Sequence, residues 1–198
     1  MNKKKLEQFF KNISKRLKYP AEFYLTGGVA AWFLGNSRPT EDLDFALKCK
    51  TNWEEISKEL QLVSKNDQIP IEFSEDISRW GMVGYSDFTK GAKLIRQYPK
   101  LKIYLLDPVI WSVGKMNRFT ENDVRDILKV FRKQKVSFHK VIKIWSEALK
   151  NSPKSSEQIL FIKKVEAFFK KEGHKIWAKN FDEKKAFMDF RKKVMGFF

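Results

Sequence analysis

The sequence predicts an α+β protein in which a mixed sheet flanked by helices is followed by a helical bundle. Up to about residue 120, short apolar segments of strand length alternate with segments of helical periodicity. Beyond that point the long segments all carry apolar residues at i, i+3, i+4 and i+7, as amphipathic helices do. We therefore expect two domains in the 198-residue chain, residues 1–120 and residues 121–198.

The first domain opens with an amphipathic helix, because apolar residues from Leu6 to Leu17 recur at helical spacing. Four strands and three further helices are expected after it. The strands are EFYLTGG, DLDFALK, IPIEFS and LKIYLLDP, and the helices are VAAWFLGN, NWEEISKELQLVSK with Asn52 as its cap, and PVIWSVGKMNRF. The segment EDISRWGMVGYSDF is expected to be irregular, and for its Trp80 the sequence favours packing over base stacking.

The second domain is expected to contain four helices. They correspond to DVRDILKVFRKQ, FHKVIKIWSEALKN, SSEQILFIKKVEAFFKKEG and DEKKAFMDFRKKVMGFF. Ser155 or Ser156 is the expected N-cap of the third of these helices, and Gly173 is its expected end.

Charge and composition limit the partners and the compartment. The net charge is +16, and residues 129–198 contain 19 Lys and Arg against 7 Asp and Glu, a net charge of +12. Such a balance predicts a polyanionic partner, nucleic acid before an anionic membrane surface. The single cysteine excludes an intrachain disulfide, and no apolar run approaches the roughly 18 residues of a membrane span. Because the basic N-terminus lacks the apolar core of a secretory signal, we expect a cytoplasmic protein.

Two neighbouring carboxylates are the strongest sign of chemistry. Asp42 and Asp44 stand at i and i+2 of a predicted strand, so both side chains should lie on one face of it. Like charges that close destabilise a strand unless a cation lies between them, although a solvated face or a turn is the alternative. Upstream, Gly27 and Gly28 end an apolar strand and begin a helix, where backbone N–H groups can approach a phosphate closely. Together these elements indicate a phosphate cradle and a divalent-metal clamp, which a nucleoside triphosphate with magnesium requires.

The stretch LTGGVAAWFLGNSRPTEDLDFAL resembles the core of the polymerase-beta-like nucleotidyltransferase superfamily. The pattern of Arg38, Thr40, Asp42 and Asp44 resembles more specifically the AbiEii-type nucleotidyltransferases, the toxins of abortive-infection and toxin–antitoxin pairs. A second stretch, LLDPVIWSVGKMNRFTENDVRDILKV, is similar to the family's strand and helix that carry Lys, Arg and two acidic residues. The resemblance covers roughly residues 23–128.

The resemblance implies roles for the first set of residues. Gly27 and Gly28 would face the triphosphate, while Asp42 and Asp44 would hold Mg²⁺ or Mn²⁺. A third carboxylate usually completes the metal site, and Glu72 is our choice because strand alternation turns it away from its apolar neighbours. Glu75 and Asp107 are the alternatives for this third position.

The second stretch supplies the expected nucleotide contacts. Lys115 and Arg118 lie three residues apart, on one face of a helix, and would contact the phosphates or the nucleotide. Asp126, in preference to Asp123, would orient the lysine or act as a base. Arg38 is either a phosphate contact or an ordinary loop cation.

The expected function is therefore metal-dependent transfer of a nucleotide from an NTP to an acceptor. The basic second domain favours RNA as that acceptor, most plausibly the 3′ end of tRNA, and the resemblance implies that an antitoxin protein could be a partner. Transfer to a protein or to a small molecule is a second hypothesis. A degenerate fold that only binds nucleic acid or an antitoxin is a third.

Overall fold

A computed structural model describes residues 1–36, 38–50, 52–77, 81–85, 87–178 and 181–195. Within these ranges the chain forms five strands and eight helices, which confirms the predicted α+β class. Trp80 lies outside the described residues. The elements in chain order are α1 (Lys3–Arg16), β1 (Ala21–Leu25), α2 (Gly27–Phe33), β2 (Leu43–Cys49), α3 (Trp53–Asp67), β3 (Ile71–Ser74), β4 (Lys93–Tyr98), β5 (Leu101–Leu105), α4 (Pro108–Arg118), α5 (Glu121–Lys133), α6 (Phe138–Lys150), α7 (Ser156–Trp177) and α8 (Glu183–Val194).

The strands form one mixed sheet in the order β3-β2-β1-β5-β4. β1 pairs with β2 in antiparallel orientation and with β5 in parallel orientation. β2 and β3 are parallel, and β4 and β5 form an antiparallel pair at the other edge. The N-terminal mixed sheet of the sequence prediction is therefore present.

The chain divides into two compact units. The sheet unit consists of Met1–Phe33, Ser37–Asp76 and Thr89–Leu106, and the helical unit consists of Leu34–Asn36, Ile77–Phe88 and Asp107–Phe198. The predicted boundary at residue 120 thus differs from the observed division near residue 107. The reason is that α4 packs against α5, α6 and α7, so it belongs with the helices that follow it.

Aromatic side chains form the core of the sheet unit. Phe23 of β1 stacks on Phe45 of β2 with ring centroids 4.1 Å apart, and Phe45 stacks on Phe73 of β3. Phe10 of α1 meets Phe23 edge to face, which places the predicted apolar stripe of α1 against the sheet. Asn52 caps α3 as expected, since its side chain accepts a hydrogen bond from the backbone N–H of Glu54 at 2.9 Å.

The core of the helical unit is built around Trp145. Its ring contacts Phe161, Phe168 and Phe169 of α7, and its indole N–H donates to the hydroxyl of Ser112 at 2.9 Å. Both partners of that hydrogen bond are fully buried, so it satisfies two polar groups that would otherwise be costly to bury. Among the described helices, none combines the length and the apolarity that crossing a bilayer requires.

One strand was not predicted from the sequence. β4, Lys93–Tyr98, is an edge strand with the sequence KLIRQY, and most of its side chains are exposed or half-buried. Its two aliphatic residues, Leu94 and Ile95, are adjacent, so the alternation of apolar and polar residues that marks a strand is not visible in its sequence. It forms because it pairs with β5 through the turn at Pro99 and Lys100.

Only one aspartate of the predicted pair lies on strand β2. Strand β2 begins at Leu43, so Asp42 lies just before the strand and only Asp44 is part of it. The hydroxyl of Thr40 hydrogen-bonds to the carboxylate of Asp42 at 2.8 Å, and this local contact bends the chain before the ladder begins. The expected alternation of burial is also lost, because α2 packs against β2 and covers its second face.

The predicted end of α7 at Gly173 is wrong. The helix continues to Trp177, and a Cβ atom at position 173 would lie 2.1 Å from the ring of Phe181. Gly173 therefore allows an aromatic ring to approach the helix closely, rather than ending it. Ser155 does occupy the N-cap position of α7, although its side chain makes no capping hydrogen bond.

Candidate functional site

The turn from β1 into α2 brings a glycine against a carboxylate. Gly27 has a φ of +58°, and a Cβ atom built on it would lie 1.7 Å from Oδ2 of Asp44. Either condition alone disfavours a side chain at this position, and together they require glycine. The backbone N–H of Thr26 also donates to the carbonyl of Asp44 at 2.9 Å, which fixes the turn against β2.

The second glycine makes a similar approach to the loop before β2. A Cβ atom at Gly28 would lie 2.4 Å from Oγ1 of Thr40, and that hydroxyl is the group that donates to the Asp42 carboxylate. Asp42 itself is half-buried. Each glycine of the pair is therefore matched with one carboxylate: Gly27 contacts Asp44 directly, and Gly28 reaches Asp42 through Thr40.

A third carboxylate lies beside Asp44 in the sheet. Glu72 of β3 is the direct register partner of Asp44 in the parallel β2–β3 ladder. Register partners on adjacent strands point to the same face, and the strands are about 4.8 Å apart. Asp44 is 7% exposed and Glu72 is half-buried, so these two carboxylates form a short acidic row on one face.

The two alternatives for the third carboxylate have other positions. Glu75 is exposed beyond the end of β3. Asp107 is the N-cap of α4, where it accepts a hydrogen bond from the backbone N–H of Val109 at 2.9 Å and forms an ion pair with Lys140. The sheet register therefore favours Glu72.

The donor chemistry of this acidic group suits a hard divalent cation. Among the described residues, no three His, Cys, Asp or Glu side chains converge closely enough to form a complete protein-made metal site. Magnesium, however, commonly binds through one or two carboxylates and takes its other ligands from substrate phosphates and water. Asp42 and Asp44 are carboxylates of this kind, each associated with one glycine of the turn, so their donor chemistry fits the metal that the resemblance implies.

A separate cluster of charges is buried in the helical unit. The ammonium group of Lys115 on α4 donates to Asp123 and to Asp126 on α5, each at 2.9 Å. These three side chains are at most 4% exposed. The amide of Asn36 adds a hydrogen bond to the other carboxylate oxygen of Asp126 at 2.6 Å. A buried lysine between two carboxylates is thus compensated, which is the condition under which proteins bury charge.

Asp123 is held ionised by several donors. Burial raises the pKa of its carboxyl group, but hydrogen bonds from Arg118 and Lys115 outweigh that effect and lower the pKa to about 2. Asp123 also exchanges hydrogen bonds with Thr120 in a capping box at the start of α5. The carboxylate therefore joins the ion cluster to the helix cap.

The structure thus gathers the expected site residues into two groups. Gly27, Gly28, Asp42, Asp44 and Glu72 come together in the sheet unit, and Arg38 is exposed in the loop before β2. Lys115, Arg118, Asp123 and Asp126 come together in the helical unit. Lys115 donates to Asp126 and equally to Asp123, so the preference for Asp126, its role as orienting group or base, and a nucleotide contact of Lys115 or Arg118 all stay predictions.

Two residues of these groups were not among the predicted site residues. Thr40 belongs to the sequence motif, and its spacing of two residues from Asp42 was the available signal. Asn36 is separated from Asp126 by 90 residues, so no local pattern could have linked them.

Comparison with protein-family models, with curated proteins and with solved structures finds no significant match to this chain.

Proposed function

We propose that the chain is a metal-dependent nucleotidyltransferase of the AbiEii type, which transfers an NMP group from an NTP to an acceptor RNA. The observation that supports this most strongly is the contact between Gly27 and Asp44. A glycine that no other residue could replace presses on a carboxylate at the end of the central strands. This is the juxtaposition that a triphosphate held beside a metal-binding carboxylate would need.

The proposed reaction is an in-line displacement at the α-phosphorus of the NTP. A hydroxyl oxygen of the acceptor forms the new P–O bond, and the bond from the α-phosphorus to the bridging oxygen of the β-phosphate breaks. The hydroxyl proton is lost to a carboxylate or to solvent, and pyrophosphate leaves. Positioning and charge stabilisation therefore account for most of the catalysis that the protein must provide.

Each carboxylate has a defined task in this proposal. Asp42 and Asp44 would hold Mg²⁺, which when bound neutralises phosphate charge and lowers the pKa of the attacking hydroxyl. Thr40 orients Asp42 through its 2.8 Å hydrogen bond. Glu72 lies next to Asp44 in the sheet and stays the expected third carboxylate, although among the described residues no three such side chains converge closely enough to hold one ion.

The choice of RNA as acceptor rests on charge. Residues 129–198 contain 19 Lys and Arg against 7 Asp and Glu, and neutralisation of phosphates by such side chains provides most of the affinity for nucleic acid. The 3′ end of tRNA as the acceptor, and an antitoxin protein that silences the activity, follow only from the resemblance.

In this proposal the buried cluster around Lys115 holds helix α4 against helix α5. Its ammonium group already donates to two carboxylates, and it is nearly inaccessible to solvent. Arg118 is 36% exposed, so of these two cations it is the one whose side chain stays accessible to an anion while it is paired with Asp123.

The decisive experiment incubates the purified chain with each labelled NTP, Mg²⁺ and total cellular RNA, and then separates the products by size. Label should appear on RNA. Asp44→Asn keeps the size of the side chain but removes its charge, and we expect it to lower transfer by about a thousandfold or more. The matched control is Glu75→Gln, an exposed carboxylate nearby, which should leave transfer unchanged.

The other outcomes distinguish the competing hypotheses. Label on protein or on a small molecule would show that the chain transfers a nucleotide, but to an acceptor other than RNA. If no NTP gave label on any acceptor, and Mg²⁺ did not promote triphosphate binding, the chain would be a binding module. Full activity in Asp44→Asn would overturn the assignment of the site.

A further inference from the structure

A cleft of about 570 Å³ lies in the sheet unit at the start of β1, away from the glycine turn that follows the other end of this strand. Its walls come from three segments: the start of β1, the end of β2, and the turn between β4 and β5. None of the residues considered above for the acidic site takes part in it. The cleft is large enough for more than a single ion.

The charge of the cleft is strongly positive. Among the described residues that line it, four are lysines and one, Glu22, is a carboxylate, which gives this lining a net charge of +3. The lysines are Lys48, Lys50, Lys100 and Lys102, and all four are exposed. Glu22 is also occupied, because it accepts a hydrogen bond from the hydroxyl of Tyr24 at 2.8 Å. The cleft therefore presents several ammonium groups to an anion.

The sheet register orders part of this charge into a row. Glu22 of β1 is the register partner of Lys48 on β2 and of Lys102 on β5. Two cations thus flank one carboxylate across three neighbouring strands, on the same face of the sheet. Lys50 and Lys100 extend the positive charge beyond the strand ends. A ligand with several spaced negative charges matches this arrangement better than a single phosphate does.

Aromatic surface accompanies the lysines. Tyr19 lines the cleft and is 55% exposed, and the half-buried ring of Tyr98 lines it from the β4–β5 turn. Exposed aromatic rings between lysines are the combination that proteins use for single-stranded nucleic acid, since bases stack on the rings while phosphates meet the cations.

The cleft and the acidic row share one face of the sheet. On β2, positions 44, 46 and 48 point to the same side, so Asp44 and Lys48 are separated by four residues, or about 13 Å. Ala46 lies between them on that face and is 1% exposed, so the surface of β2 is covered there and the cleft is a site separate from the acidic row.

We propose that this cleft, lined by Tyr19, Tyr98 and the lysines at positions 48, 50, 100 and 102, binds a single-stranded segment of the acceptor RNA. The choice of RNA rests on the proposed function, whereas the preference for a single-stranded polyanion rests on the charges and rings of the cleft itself.

The first test uses the only cysteine of the chain, Cys49, which lines the cleft and is half-buried. The full-length protein is treated with N-ethylmaleimide, and the rate of alkylation is measured by mass spectrometry, without NTP or metal. We expect a single-stranded RNA decamer to slow the alkylation of Cys49 severalfold. AMP at the same nucleotide concentration, and a blunt RNA duplex, should have little effect.

The second test measures binding of the same fluorescent decamer by anisotropy. Lys100→Ala/Lys102→Ala removes two phosphate contacts, so the slope of log K against log salt should become shallower by about 1.4. The matched control is Lys58→Ala/Lys65→Ala, which removes two exposed lysines of α3 that do not line the cleft. Tyr19→Ala should weaken binding roughly tenfold through lost stacking.

Both tests measure binding and neither requires nucleotide transfer, so the cleft can be disproved without disproving the proposed function, and the reverse. Alkylation that the decamer leaves unchanged, together with equal salt slopes for the two double variants, would overturn the proposal. Protection by AMP as strong as that by the decamer would make the cleft a mononucleotide site and would overturn it as well. If the decamer protects Cys49 but the protein transfers no nucleotide, the cleft is supported and the proposed function is not.

Discussion

The carboxylate of Asp44 occupies the space in which a side chain at position 27 would have to begin. A Cβ atom on Gly27 would lie 1.7 Å from Oδ2 of Asp44, and the φ of Gly27 is +58°. The glycine and the aspartate therefore depend on each other, and the position of the carboxylate can be disturbed without changing its chemistry.

Gly27→Ala tests whether the position of the Asp44 carboxylate matters, because it displaces this carboxylate without removing it. We expect transfer to fall at least about 100-fold, because the new methyl group displaces Asp44. The left-handed backbone adds a loss of about 1–3 kcal/mol in the free energy of unfolding. Activity and chemical denaturation are measured together, with Gly114→Ala as the control because a Cβ atom there meets no atom within 4 Å. Wild-type transfer in Gly27→Ala would show that this contact has no role in the reaction.

Removal of the buried lysine should destabilise the helical unit. Lys115→Met leaves Asp123 and Asp126 buried without their shared cation, and we expect a loss of about 3–5 kcal/mol in the free energy of unfolding. Addition of Asp126→Asn should restore part of that loss. Urea denaturation provides the measurement.

The matched control for that variant is Lys175→Met. Lys175 forms an ion pair with Glu172 at 2.9 Å but is 59% exposed, so its removal should cost less than about 1 kcal/mol. Equal losses for the two variants would contradict the role assigned to the buried cluster.

Acid should weaken the fold through Asp123. Because its pKa is lowered to about 2 in the folded state, its contribution to stability is complete above its ordinary pKa near 3.8 and is lost as the pH falls towards 2. The contribution amounts to about 2 kcal/mol. In Asp123→Asn, the decline of the unfolding free energy between pH 5 and pH 2 should be smaller by about this amount.

Glu121→Gln is the control for the acid prediction. Glu121 lies in the same first turn of α5, but its side chain is 88% exposed and forms an ion pair with the exposed Arg125. Its replacement should leave the pH dependence of unfolding close to that of the wild type. A flattened profile in this variant would assign the effect to the helix terminus in general.

Alanine at position 173 should destabilise the chain, although alanine normally stabilises a helix interior. A Cβ atom there would lie 2.1 Å from the Phe181 ring, and we expect a loss of about 1–3 kcal/mol. Gly114→Ala, in the open interior of α4, should instead gain about 0.4–1 kcal/mol. Thermal denaturation of both variants measures the sign of each change in stability. A gain in Gly173→Ala would contradict the close packing of the Phe181 ring on position 173.

Local signals in the sequence were sufficient for most of the elements. The stripe of apolar residues in α1, the Asn52 cap of α3 and the alternation in IPIEFS all depend on neighbours within a few residues, so periodicity and capping rules found them. The pairing of a glycine turn with an aspartate strand was also visible, because both lie within one short stretch of chain. By itself, then, the sequence determined the α+β class, the order of helices and strands except β4, and the nearness of the glycine turn to Asp44.

Tertiary structure decided what depends on contacts between distant residues. The hydrogen bond from Asn36 to Asp126 spans 90 positions, and β4 exists as a strand only through its pairing with β5. Glycine commonly follows the end of a helix, which is why Gly173 was predicted to end α7. In the structure it lies inside α7, where its missing side chain leaves room for the ring of Phe181. The partner of Asp44 was similarly open among three carboxylates until the register of β2 and β3 placed Glu72 beside it. Register and close approach are properties of two segments at once, and no pattern within either segment contains them.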